Sequence, residues 1–215
     1  MSLKIKIFEF NPFPVNTYLL YDDETKDAIV IDAGMYTSAE EMELSEFVAD
    51  NALRLRALLN THLHFDHCFG MNYMNEVYGL RTIAAKEDEF LLKAYAGQAA
   101  RFRLKVKGPL PEIGCYVEKN ELLEFGTISL KALHVPGHSP GSMVYYSSAL
   151  NAAFSGDTLF CRSIGRTDLP GGDADLLIGS IKRELFTLPD TTVVYPGHGP
   201  STTIGKEKTE NFYIR

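Results

Sequence analysis

Of the six histidines in this 215-residue chain, five fall in three short motifs. His62-Leu63-His64-Phe65-Asp66-His67 places four donors in six residues, His138 sits in Pro136-Gly137-His138-Ser139, and His198 in Pro196-Gly197-His198-Gly199. Asp157, in Ser155-Gly156-Asp157-Thr158, raises the inventory to seven N and O donors, enough for two metal ions. Imidazole and carboxylate are the ligands that divalent transition metals take when thiolates are absent, and an ion with an open position brings the pKa of water near neutrality. The chemistry indicated is metal-dependent hydrolysis.

The spacing divides the donors. In an extended segment residues i and i+2 point the same way, so His62 and His64 can grip one ion, and His138, reached through a Pro-Gly turn, would complete a three-histidine site. Asp66 and His67, displaced by the turn into a following helix, would aim at a second ion together with His198, leaving Asp157 as the natural bridge. Taken singly these residues have ordinary readings: Asp66 as a helix N-cap, His198 as a surface residue, Asp157 as a turn cap. Four donors in six residues are not explained that way. His134, in the strand before His138, is read as structural or as orienting a ligand rather than as a ligand itself.

Apolar patterning supplies the elements that must hold these motifs. Strands are expected over residues 4–10, 16–21 and 28–31, a helix over 37–50, and a buried strand over 55–60 that ends at the first histidine. A helix follows over 67–78 with Asp66 at its N-cap, and another over 86–96. Residues 97–114 carry Arg101, Arg103, Lys105 and Lys107 before Gly108-Pro109 and read as a flexible lid. Strands then return at 121–125, 128–135, 143–146 and 152–155, with a helix at 173–186 and a strand at 193–195, so the second half repeats the order of the first. Without a linker or sequence repeat, one domain over 1–215 is expected, with every major motif following an apolar strand and converging at one edge.

A net charge of −7 and the absence of a basic run able to cover a polyanion argue against nucleic acid or an anionic membrane as partner. Cys68, Cys115 and Cys161 form no CxxC pair and read as small buried side chains in a reducing compartment. The first ten residues interleave Lys4, Lys6 and Glu9 with apolar residues, unlike a signal peptide, and no stretch approaches the roughly 20 apolar residues of a membrane span. A cytoplasmic location is expected.

These motifs, in this order, resemble the metallo-β-lactamase superfamily, and within it the glyoxalase II-like branch of hydroxyacylglutathione hydrolases and their compact bacterial relatives. The resemblance runs from Asn16-Thr17-Tyr18 and Asp32-Ala33-Gly34 through Thr203-Ile204-Gly205. It implies an α+β fold, an αββα four-layer sandwich, with His62, His64 and His138 on the first metal, Asp66, His67 and His198 on the second, and Asp157 between them. It also implies two divalent ions, zinc first, with iron or manganese open to the same donors. Dizinc β-lactamases of the best-known subclass carry cysteine in place of Asp157 and lack His67, which argues against antibiotic hydrolysis. Full-length glyoxalase II enzymes add a C-terminal helical domain that contacts glutathione, whereas this sequence ends at Arg215, and Gly199-Pro200 replaces a family tyrosine. Arg166 takes the place of a substrate-binding lysine and is expected either to hold a substrate carboxylate or to pair with Asp168. Gly165-Arg166-Thr167-Asp168 also resembles persulfide dioxygenases, which use one iron on the equivalents of His62, His138 and Asp157.

Two divalent ions balanced by Asp66, Asp157 and hydroxide leave about +1, which favours a small anionic substrate and a tetrahedral oxyanion. Asp66 is assigned as the residue that orients or deprotonates the nucleophile. A thiol of pKa about 8.5 departs without a proton donor, so a thioester such as S-lactoylglutathione is expected ahead of an amide. Lactone or ester hydrolysis and a mononuclear iron persulfide dioxygenase are the alternatives.

Overall fold

Polar and apolar side chains mix over Leu3–Phe10 (β1), whereas Val15–Asp22 (β2) and Asp27–Ile31 (β3) are buried throughout. The computed structural model, which describes residues 3–214, accordingly places β1 at a sheet edge and β2 and β3 inside it. β1 and β2 pair antiparallel from Leu3 opposite Asp22 to Phe10 opposite Val15. After α1 (Ser38–Asp50) the chain returns through β4 (Arg54–Leu59), α2 (Met71–Tyr78), β5 (Thr82–Ala84), α3 (Glu89–Lys93), α4 (Tyr95–Arg101) and β6 (Ile113–Tyr116). The first sheet has the order β1-β2-β3-β4-β5-β6, parallel from β3 onward.

The second sheet is built from β7 (Leu122–Phe125), β8 (Ile128–His134), β9 (Met143–Ser147) and β10 (Ala152–Gly156). A small ribbon of β11 (Leu159–Phe160) and β12 (Ser163–Ile164) and then α5 (Ala174–Ser180) precede its last strands, β13 (Val193–Pro196) and β14 (Thr202–Thr203), and α6 (Ile204–Glu210) follows. Its order is β14-β13-β10-β9-β8-β7.

Period-two alternation divides the strand residues between layers. Leu19, Val30 and Leu58 turn outward to Leu44 of α1 and Met71 and Met74 of α2. Their neighbours Leu20, Ile29 and Leu59 turn inward to meet Leu130, Tyr145 and Phe154 of the second sheet. On its far face Val144, Ala153 and Val194 pack against Leu177, Ile181 and Ile204. Three apolar layers between four structural layers make the expected αββα sandwich.

Local departures from the sequence reading have identifiable causes. Asp66 does not cap α2: His67 N–H donates to His64 O and Cys68 N–H to Phe65 O, closing a 3-10 turn over Phe65–His67, and Gly70 is the N-cap. The helix expected over 86–96 is a 3-10 turn, Lys86–Asp88, then α3 and α4, separated where Ala94 N–H is shared between Phe90 O and Leu91 O. The segment expected to form a lid is helical to Arg101, and Asn72 Nδ2 then pins it by donating to Lys107 O at 3.2 Å and Pro109 O at 2.9 Å. Asp173 caps α5 through Leu176 N–H, and a π turn over Ile181–Leu185 extends it. Of the cysteines only Cys68 is buried; Cys115 lies on the edge strand β6 and Cys161 in the turn of the β11–β12 ribbon, and both are exposed. No helix among the described residues is long and apolar enough to cross a membrane.

Candidate metal centre

The loop after β4 is suspended from Asp32, the residue that follows β3. Thr61 donates its backbone N–H to Asp32 Oδ1 at 2.7 Å and its hydroxyl to Asp32 Oδ2 at 2.6 Å. Asn60 Nδ2 donates to His67 O at 2.8 Å, while Met143 N–H on β9 donates to Thr61 O at 2.8 Å and ties the loop to the second sheet. A second carboxylate, Asp88, is fully buried and joins this loop to the one that carries His138. Leu63 N–H (3.2 Å), Ser139 Oγ (2.7 Å) and Gly141 N–H (2.6 Å) all donate to it.

Each imidazole is oriented by what its outer nitrogen meets. His67 Nδ1 faces Asp32 Oδ2 at 3.0 Å, His138 Nδ1 faces Arg166 O at 2.8 Å, and His198 Nδ1 faces Phe13 O at 2.6 Å. Thr61 Oγ, already donating to Asp32, receives His62 Nδ1 at 3.0 Å. In all four rings Nδ1 is therefore a donor and Nε2 is the atom left facing inward. His64 is reversed: its Nδ1 lies 2.9 Å from His138 Nε2.

The inward atoms form two clusters. His62, His64 and His138 converge in one, and Asp66, His67 and His198 in the other. Asp157 lies between them, with Oδ1 3.4 Å from His67 Nε2 and Oδ2 3.5 Å from His198 Nε2 and 3.8 Å from His138 Nε2. Asp66 Oδ2 is 3.5 Å from His198 Nε2 and 3.9 Å from His67 Nε2. His62 Nε2, His64 Nε2 and Asp157 Oδ1 are buried without a hydrogen-bond partner. Buried polar atoms are nearly always satisfied. His62 Nε2 and Asp157 Oδ1 thus face inward unpaired, beside His64 Nδ1 and His138 Nε2, a donor set that suits divalent cations.

Charge separates the clusters in the same way. Burial, reinforced by the neighbouring imidazoles, pushes His62 well below the ordinary histidine range and His64 down to about 3. Burial also opposes charge at His67 and His198, but carboxylates outweigh it: Asp157, Asp32 and Asp66 hold His67 well above its usual value, and Asp157 and Asp66 raise His198 to about 10. Against the same desolvation, His67 and His198 keep Asp157 well below the carboxylate range and lower Asp66. The first cluster favours neutral nitrogen donors, and the second is built for positive charge between carboxylates.

Above the clusters opens a cavity of about 740 Å³ whose floor includes His64, Asp66, His138, Asp157 and His198. Phe13, Phe65, Leu91, Phe102 and Leu169 furnish an apolar wall, with Lys93, Arg101 and Arg166 among the lining residues. That size and mixture suit a small-molecule site.

Residues 10–198 match the family profile of the metallo-beta-lactamase superfamily. The chain belongs to that superfamily. It is 36% identical over 214 residues to hydroxyacylglutathione hydrolase GloC of Haemophilus influenzae, covering 99% of this chain and 98% of the relative. Among solved structures it is similar to the BLEG-1 B3 metallo-beta-lactamase, with a TM-score of 0.89, 34% identity and coverage of 98% and 99% of the two chains. It is also similar to TTHA1623 in a di-iron-bound form, with a TM-score of 0.85, 34% identity and coverage of 97% and 99%.

As a member of the metallo-beta-lactamase superfamily, the chain brings all seven sequence-nominated donors to one place. His134 stays outside both clusters and faces Pro140 O at 2.8 Å through Nε2, in keeping with a structural role. Arg166 lines the cavity, but its guanidinium is held by Asp168 through two hydrogen bonds of 2.7 Å, and its carbonyl orients His138. Sequence reasoning gave no role to Asp32, Asp88 or Thr61. Asp32 stood in the quoted Asp32-Ala33-Gly34 motif, which was the available signal; Asp88 had none.

Proposed function

We propose that this chain is a dinuclear metal-dependent hydrolase of a small acyl thioester, of the S-lactoylglutathione type. The observation that carries the reading is the second cluster of Asp66, His67 and His198, which Asp157 also faces and which a mononuclear site on His62, His138 and Asp157 does not require. His62, His64 and His138 would hold one divalent ion, Asp66, His67 and His198 the other, and Asp157 both. Zinc is the first candidate. The similarity to a hydroxyacylglutathione hydrolase supports the thioester, and the similarity to a di-iron structure keeps iron among the usable metals.

Bound ions of this kind polarise a carbonyl oxygen and make water nucleophilic at neutral pH. The chain's residues do the rest. Asp66, ionised at neutral pH and lining the cavity floor, orients the attacking water and accepts its proton at a carboxylate oxygen. Phe13, Phe65 and Phe102 exclude bulk water from the reacting carbonyl, and the thiol leaves as thiolate without a dedicated acid.

Protein purified without chelator is expected to contain close to two metal ions per chain by elemental analysis. Asp157→Ala should lose at least about 100-fold in turnover of S-lactoylglutathione, since even residues that only orient metal ligands are worth 10–100-fold. Full activity with a single iron, accompanied by oxygen uptake, would overturn the assignment.

A further inference from the structure

The basic stretch that begins in α4 has no part in metal binding. Arg101, Arg103, Lys105 and Lys107 occupy alternate positions in a chain of net charge −7, and among the described residues none of the four side chains has a carboxylate partner. Arg101 is the one of the four that lines the cavity over the metal clusters. The other two cations in that lining are already neutralised: Lys93 pairs with Glu89 at 3.0 Å, and Arg166 is held in a fork by Asp168.

Next to Arg101 in sequence, Phe102 closes an aromatic wall, its ring stacked on Phe65 at 5.4 Å and edge-on to Phe13 at 5.0 Å. Phe13 O in turn orients His198. The end of α4 thus brings an arginine without a carboxylate partner and an apolar plate to the lining of the cavity that the metal clusters floor. An unpaired fork beside an apolar surface suits a carboxylate attached to a short, partly apolar arm. A volume of about 740 Å³ lies in the range of small-molecule sites.

Resting on the thioester reading above, we propose that Arg101, and not Arg166, anchors the substrate: it holds a carboxylate of the thiol arm while the Phe13–Phe65–Phe102 wall receives the apolar part.

The test separates binding from turnover. S-methylglutathione, a thioether that cannot be hydrolysed, is titrated calorimetrically into the metal-loaded chain. Arg101→Gln is expected to weaken binding about tenfold, the scale of one charge-assisted hydrogen bond, with Arg101→Lys recovering part of the loss. Added salt should weaken binding to the unmodified chain more than to Arg101→Gln. In parallel, the ratio of kcat/KM for a lactoyl thioester of glutathione over that of N-acetylcysteamine should fall about tenfold in Arg101→Gln. Equal binding in Arg101→Gln, no binding by the unmodified chain, or tighter binding of the matching coenzyme A thioether would each overturn the assignment. If binding depends on Arg101 but neither thioester turns over, the anchor stands and the hydrolase reading falls. If both thioesters turn over with no dependence on Arg101, the reverse holds.

Discussion

Asp88 shows how much of the candidate centre rests on residues outside its two clusters. Burial raises its pKa while three donors from two loops pull the other way, so the carboxylate is an acceptor that no neutral side chain replaces. In Asp88→Asn the new NH2 must face donors, leaving at least one buried group unsatisfied at about 1–3 kcal/mol. We expect a loss of 10–100-fold in metal affinity by chelator competition, together with a lower thermal midpoint; unchanged affinity would assign Asp88 to folding alone. The residues of the two clusters were legible in the sequence because their types are few and their motifs compact. Asp32 and Asp88 were not. Their partners, His67 and Thr61 for one and Leu63, Ser139 and Gly141 for the other, are distant in sequence, and an isolated aspartate reads most simply as a cap. Arg166 was half legible: both of its expected partners were named, and the structure shows Asp168 holding it.

Among the elements, the turn between β13 and β14 is held by bonds from a neighbouring strand. Asn16 N–H and Nδ2 and the Tyr18 hydroxyl donate to Gly197 O and Pro196 O, fastening the turn to β2. A Cβ on Gly197 would run into Asp157 Oδ1 and His67 Cε1. Gly197→Ala therefore displaces the bridge and a donor of the second cluster while leaving His62, His64 and His138 in place. Metal content is expected to fall from two toward one per chain, and retention of two ions would show that the turn can give way. The longer strands and α1 were readable from periodicity, and Thr37 and Glu40 add a reciprocal cap at the start of α1, whereas β5, β6, β11, β12 and β14, of two to four residues each, are too short to carry a period. The 3-10 turn at Phe65–His67, the break at Ala94 and the π turn after α5 were not readable either, because tertiary bonds such as Gly70 N–H to Ala33 O set them rather than local propensity.

At the scale of the whole molecule, the clusters make stability depend on pH and on metal together. His67 and His198 have folded values above the unfolded histidine value of about 6.5, so the stability they contribute is complete below that pH and is lost as pH rises through the folded values, about 10 for His198. His62 and His64 have depressed values and penalise the folded state as pH falls below about 6.5. Chelated protein should therefore lose thermal stability between pH 7 and 10, while protein loaded with metal stays nearly level there. Equal slopes for the two forms would count against the placement of charge between Asp66, Asp157 and the two histidines.

The loop of His62 and His64 leaves the first sheet, whereas His138, Asp157 and His198 follow strands of the second. A pair of cations held across that seam would work as a clasp at the open end of a wedge. Beneath it the two sheets are joined chiefly by side-chain contact, which yields gradually, while severing metal ligands is abrupt. Occupancy would then govern how the molecule comes apart: clasped, the halves must separate in one concerted step; unclasped, either half is free to loosen first, and urea titrations followed by separate probes on the two sheets should cease to coincide.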